Sequence, residues 1–262
     1  MANNFIQELK TILNDPKFGA ENDSIHIRTG LNMFDYLNGT VIPNKDGSKD
    51  FRVGISSGKQ MMIIGKSGSG KSTLALQIAT NIIKRYEQSS LFLLDFEQSH
   101  TRERIKMVSG LSDEEYDSKV TLKQTGISTE TVLRIASQIK ELKLQHKKEL
   151  LVDNLEGVLD VDGKVLKILP PTILMIDSIA TMLPEKVSDD EGEISGQMLS
   201  TQSAKMNTQL VKRLTQICST GNIIVIYINH INQKVDTGMM PTQAQINYLK
   251  QDETLPQKIL VN

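Results

Sequence analysis

The chain has 262 residues, 39% of them hydrophobic, and a formal net charge of −1. That length accommodates one large α/β domain with a small N-terminal appendage, and the near-zero charge excludes a global basic field, so any nucleic-acid contact must come from local loops. The single cysteine, Cys218, excludes a disulfide framework, no apolar run reaches the ~18 residues of a bilayer span, and the N-terminus MANNFIQELK lacks a secretory layout; a cytoplasmic protein without a membrane partner is expected.

Residues 3–14 have Phe5, Ile6, Leu9, Ile12 and Leu13 on one face at helical spacing, and Asp15-Pro16 ends that pattern. So short a helix needs packing from elsewhere, on its own domain or on a neighbouring subunit, and both readings stay open. Residues 1–27 therefore read as a helix and linker, a possible oligomerisation segment, and 28–262 as the core. The run Asn44 to Asp50 predicts a turn-rich surface loop. A buried strand is predicted over Gln60 to Ile64. A helix follows over Lys71 to Arg85, with Leu74, Leu76, Ile78, Ala79, Ile82 and Ile83 inside. Ser90 to Asp95 predicts a second strand, Thr129 to Lys147 a helix, and the surroundings of Asp162-Gly163 a hairpin. Thr172 to Asp177 predicts a third strand, Gln202 to Cys218 a long helix with a buried thiol, and Ile223 to Asn229 a fourth strand. The acidic stretch Ser188 to Glu193 has no periodicity and reads as a loop. Strands apolar on both faces, alternating with helices, predict a mostly parallel central sheet covered on both sides.

The strongest chemical signal is Gly65-Lys66-Ser67-Gly68-Ser69-Gly70-Lys71-Ser72, with Thr73 following, because it leaves a buried strand and opens a helix. Glycines let the backbone curl so that its N–H groups point inward, and the helix N-terminus adds partial positive charge; together they cradle the phosphates of a nucleotide such as ATP. Lys71 brings a cation to the β- and γ-phosphates, and Ser72 offers a hydroxyl to Mg2+. Asp177, at the C-terminal tip of a buried strand, faces the same crevice and suits the metal; the plainer reading is a cap on the next turn. Hydrolysis requires a carboxylate to orient water, for which Glu97 is the candidate and Asp95, the last residue of its strand, the competitor. His230, after Asn229 at the end of the fourth strand, is on its own evidence either a solvated strand-end histidine or a sensor of the γ-phosphate.

These pieces in this order resemble the RecA recombinase family, and more closely its bacteriophage-encoded UvsX-like members, from about Arg28 to Asp252. The resemblance rests on Thr29-Gly30-Leu31 with Asp35, Leu37 and Gly39 before the phosphate loop, on Asp95-x-Glu97, on Ile176-Asp177-Ser178-Ile179-Ala180, on Glu191-Gly192-Glu193-Ile194 with Ala204-Lys205-Met206, and on Ile228-Asn229-His230-Ile231-x-x-Lys234-Val235. It implies a RecA-like P-loop NTPase core that uses ATP and Mg2+, with Lys71, Glu97 and His230 as catalytic residues and His230 as the γ-phosphate sensor. It implies DNA contacts from Met198, Leu199, Lys205, Lys234 and Val235, and Arg104 where the family places an adenine-stacking aromatic. The implied activity is single-stranded-DNA-dependent ATP hydrolysis driving homologous pairing and strand exchange in recombination and repair. The implied partners are single- and double-stranded DNA, further copies of the chain in a helical filament, a single-strand-binding protein and a loading mediator, in a bacterial or phage-infected cell. The departure is at the C-terminus, where the family's Gly-Gly pair and later strands are not found, so a truncated product is expected. A hexameric helicase core and a nucleotide-binding filament modulator without turnover are the alternatives.

Overall fold

The computed structural model describes residues 25–43, 48–159, 162–185 and 196–231. In chain order the elements are β1 (His26–Ile27), α1 (Asn32–Leu37), β2 (Thr40–Pro43), β3 (Lys49–Arg52), β4 (Ile55–Ser56), β5 (Gln60–Gly65), α2 (Lys71–Arg85), β6 (Ser90–Asp95), α3 (Arg102–Ser109) and α4 (Asp113–Lys119). They continue with β7 (Val120–Lys123), α5 (Thr129–Gln145), α6 (Lys147–Leu150), β8 (Val152–Asp153), β9 (Lys167–Ile168), β10 (Thr172–Asp177), a 3-10 turn (Ile179–Thr181), α7 (Gly196–Gly221) and β11 (Ile223–His230).

The central sheet is parallel throughout, in the order β5-β11-β10-β6-β7. Alternation along its strands divides the core in two. Leu91, Leu93, Ile173, Met175, Ile224, Ile226 and Ile228 pack toward α2, with Leu76, Ala79 and Ile83 beneath them. Leu94, Leu174, Ile176, Val225 and Tyr227 point the other way, onto Val132 and Ala136 of α5 and Leu210, Leu214 and Cys218 of α7. Every residue of β10 is buried, as a strand flanked on both sides and covered on both faces must be.

Helix α2 has the predicted bounds, but Leu74 is 37% exposed rather than inside. It stands in the first turn, beside the phosphate loop, rather than over the strands. The helix predicted to Lys147 ends at Gln145, and α6 follows His146. Lys49 and Asp50, expected in a loop, pair with β2 in a two-stranded hairpin. The hairpin expected near Asp162-Gly163 is present as β8 against β9, with a bridge between Leu159 and Val165. The N-terminal segment before Ile25 and the acidic stretch Ser188 to Glu193 lie outside the described residues.

The N-terminal end of the sheet is tied by a polar knot. Lys143 Nζ, on α5, donates to the carbonyls of Pro170 (2.6 Å), Gly221 (2.9 Å) and Asn222 (3.3 Å). Asn222 in turn accepts from Ser57 Oγ at 2.6 Å and donates to the Leu169 carbonyl at 2.6 Å. One lysine thus joins α5, the end of α7 and the approaches to β10 and β11.

Candidate active site

The C-terminal ends of β5, β11, β10 and β6 lie side by side, and their tips carry the polar residues singled out above. His230 pairs in register with Gly65, and Asp177 with Asp95. Such an edge of a parallel sheet is where ligands of open α/β folds bind.

The phosphate loop leaves β5 at Gly65. A Cβ there would lie 2.8 Å from Ser69 Oγ, so a larger residue would push the Ser69 side chain out of the place it takes where the loop folds back over the strand end. Gly70 is the N-cap of α2 with φ 82°, in the left-handed region, and no side chain caps the helix. The first N–H groups of α2 therefore remain available to an anion. Residues 66–70 are exposed, Thr73 is exposed and Ser72 half-buried, while Lys71 is 7% exposed and donates to the Lys66 carbonyl at 2.8 Å. Lys66, Ser67, Gly68 and Ser69 thus form an open cradle above the lysine.

Opposite this cradle, the Glu97 carboxylate accepts from Ser178 Oγ at 2.7 Å and lies 2.9 Å from His230 Nε2, both through Oε1. Its backbone N–H is tied to the Asp177 carbonyl at 3.3 Å. The side chains of Glu97 and His230 stay 27% and 24% exposed, open enough to meet a ligand or a water. Asp177 is fully enclosed: its Oδ2 lies 3.0 Å from His100 Nε2, and its Oδ1 is buried without a hydrogen-bond partner. Burial raises the Asp177 carboxyl, but the His100 hydrogen bond and the nearby Ser72 hydroxyl dipole, with the imidazoles of His100 and His230, outweigh it and hold the group below the usual carboxylate value.

An orphaned, ionised oxygen beside a serine hydroxyl has the chemistry of a hard-cation site, so Ser72 and Asp177 fit Mg2+. Glu97, Asp177 and His230 also bring one ligand atom each within 4.8 Å of one another. Asp95 is fully buried, and its Oδ2 accepts from the His100 N–H at 2.9 Å and from Gln124 Nε2 at 2.8 Å. Those bonds engage it in closing the loop to His100. Neither His100 nor Gln124 was singled out from sequence; His100 stands in a polar run with no periodicity, and Gln124 comes from a distant strand end.

Arg104 lies exposed in the first turn of α3, where its backbone N–H is capped by Thr101 Oγ1 at 3.2 Å. Lys205 is exposed on α7. The side chains of Met198 and Leu199, in the first turn of α7, and Lys234 and Val235, after β11, lie outside the described residues. Among the described residues, no helix is long and apolar enough to cross a membrane.

Comparison with known proteins gives a family model described as "ATPase: KaiC", which matches residues 27–211. Protein RecA of Geobacter sulfurreducens is 27% identical over 199 residues, covering 74% of this chain and 48% of that protein. Protein RecA of Syntrophus aciditrophicus is 27% identical over 198 residues, covering 74% and 47%. The mitochondrial DNA repair protein recA homolog of Dictyostelium discoideum is 22% identical over 198 residues, covering 74% and 36%. The chain spans about half the length, or less, of these curated relatives.

Proposed function

Because the chain belongs to the KaiC-like, RecA-type ATPase family, we propose that it hydrolyses ATP in response to single-stranded DNA and, as a filament of many copies, pairs that strand with a homologous duplex. The observation that carries this reading is the Glu97 carboxylate, held between Ser178 and His230 at the strand tips facing the phosphate loop. A loop that only bound nucleotide would need no such group.

The amides of residues 66–72 and the Lys71 ammonium take the phosphates, Lys71 exchanging its Lys66 carbonyl for a γ-phosphate oxygen. Ser72 and Asp177 would hold Mg2+, which would supply positive charge to the phosphates. Glu97 orients a water in line with the γ-phosphorus and receives its proton as the bond to the β,γ-bridging oxygen breaks, giving ADP and phosphate. His230 shares the Glu97 oxygen and sits beside Gly65, so a γ-phosphate that draws the imidazole away alters both the base and the backbone after β11. That backbone leads to Lys234 and Val235, which with Lys205, Met198 and Leu199 are the proposed DNA contacts; the lysines neutralise phosphates without reading sequence. Arg104 is proposed to lie over the adenine, where a guanidinium can stack.

ATPase assays with and without single-stranded DNA test the proposal. Stimulation by DNA is expected in the wild type. Lys71→Ala should lose nucleotide affinity and turnover together, while Glu97→Gln should bind ATP and lose turnover by at least ~100-fold. Turnover that DNA leaves unchanged would sink the recombinase reading and leave the ATPase standing.

A further inference from the structure

The loop from β6 to α3 contains a histidine that the hydrolytic reaction does not use. His100 is 2% exposed, and its ring stands against the carboxylate of Asp177 with Nε2 and Oδ2 3.0 Å apart. Its backbone is clamped on both sides. The N–H donates to Asp95 Oδ2 at 2.9 Å, and Gln124 Nε2 donates both to that same Oδ2 and to the His100 carbonyl, each at 2.8 Å. Three residues from three separate segments thus fix where one imidazole lies.

The result at Asp177 is a division of labour between its two oxygens. Oδ2 is occupied by the imidazole N–H, whereas Oδ1 is buried with no hydrogen-bond partner. An ionised carboxylate can rotate about its Cβ–Cγ bond and present either oxygen or both. A hydrogen bond to one of them stops that rotation and dedicates the other. His100 Nδ1 is also buried and without a partner, so the ring forgoes a bond on that side while keeping the one to Asp177. A histidine placed only to fill space would gain nothing from that arrangement over a leucine.

We propose that His100 is a positioning residue for the metal-nucleotide site: it locks Asp177 through Oδ2 so that Oδ1 alone is presented to the Mg2+ that accompanies ATP. The proposal rests on the reading of this site as one for ATP and Mg2+. Residues that hydrogen-bond a metal's ligand set how well that ligand is aimed, and losing one costs about 10- to 100-fold in metal affinity.

The test uses the full chain and Mn2+ as a spectroscopic substitute for Mg2+. Electron paramagnetic resonance measures the free Mn2+ remaining in the presence of a non-hydrolysable ATP analogue. A fluorescent ATP analogue in EDTA measures metal-free nucleotide affinity. His100→Leu should weaken Mn2+ binding by about 10- to 100-fold, with metal-free nucleotide affinity unchanged. His100→Gln carries an amide nitrogen at about the depth of Nε2 and should recover most of the loss. His100→Asn, whose amide stops at about the depth of Nδ1, should not. Wild-type Mn2+ affinity in His100→Leu overturns the proposal. If that variant does not fold, equal Mn2+ affinities for His100→Gln and His100→Asn overturn it. A parallel fall in metal-free affinity also overturns it, since that marks a general disturbance of the site. Absence of nucleotide-dependent Mn2+ uptake in the wild type removes the ATP-Mg2+ reading, and this proposal with it.

Discussion

Gly70 shows how much of the site depends on backbone rather than side chains. Its φ of 82° leaves the N-cap of α2 in a conformation that an L-residue adopts only with strain, although a Cβ there would meet nothing within 4 Å. Gly70→Ala should therefore cost about 1–2 kcal/mol, read as a lower urea midpoint, and should weaken ATP binding as the N–H groups are re-aimed. At this scale the sequence was legible where chemistry follows from local order. The phosphate loop, Glu97 and Asp177 could be singled out as candidates because each stands at or just past the end of a recognisable strand or opens a helix, and His230 became one only through the family resemblance. His100 could not. Its importance comes from Asp177, 77 positions away, and from Gln124, and no periodicity marks a residue whose ring and carbonyl partners are distant.

Among the elements, α2, β6, β10 and β11 matched expectation because their apolar runs are long and their ends marked, whereas β5, predicted as buried, lies at the sheet's edge with Met62 and Ile64 exposed, and α7, predicted over Gln202 to Cys218, runs from Gly196 to Gly221. The strand β7 was missed. It is short, only Val120 of its four residues is buried, and it lies at the sheet's edge, where alternation is weakly enforced. Helices α3 and α4 were missed because polar residues dominate them. Their ends are nonetheless specified by Thr101 as a cap and by the reciprocal Ser112–Glu115 capping box. The edge strand also serves the site, because Gln124, just beyond it, holds the loop between β6 and α3 closed. Gln124→Leu should remove two hydrogen bonds from buried acceptors and cost about 1–3 kcal/mol. Hydrogen exchange at the His100 amide should speed up more than exchange within β6; equal protection in variant and wild type would count against this closure.

Across the whole molecule the decisive polar group lies far from the nucleotide. Lys143 is 7% exposed and donates to three carbonyls at the N-terminal end of the sheet. Lys143→Met should leave the Pro170 and Gly221 carbonyls without this donor, while the Asn222 carbonyl keeps the Thr172 N–H at 3.1 Å, and should destabilise the chain by about 2–4 kcal/mol, seen as a lower melting temperature. Burial pushes its ammonium down to about 7. Between that value and the unfolded lysine value of ~10.4, the folded chain holds fewer protons than the unfolded chain, so wild-type stability should rise with pH across this window. Chemical denaturation from pH 7 to 9 should show the rise in wild type and a flatter profile in Lys143→Met.

That lysine also decides which way the molecule can yield. Its three bonds gather the roots of β10 and β11 with the end of α7, so the strands resemble tines fixed in a handle. His230 and Asp177 stand at the opposite ends of these strands, so a contact made there by a phosphate group acts at the greatest distance from that anchor and next to the segments that follow.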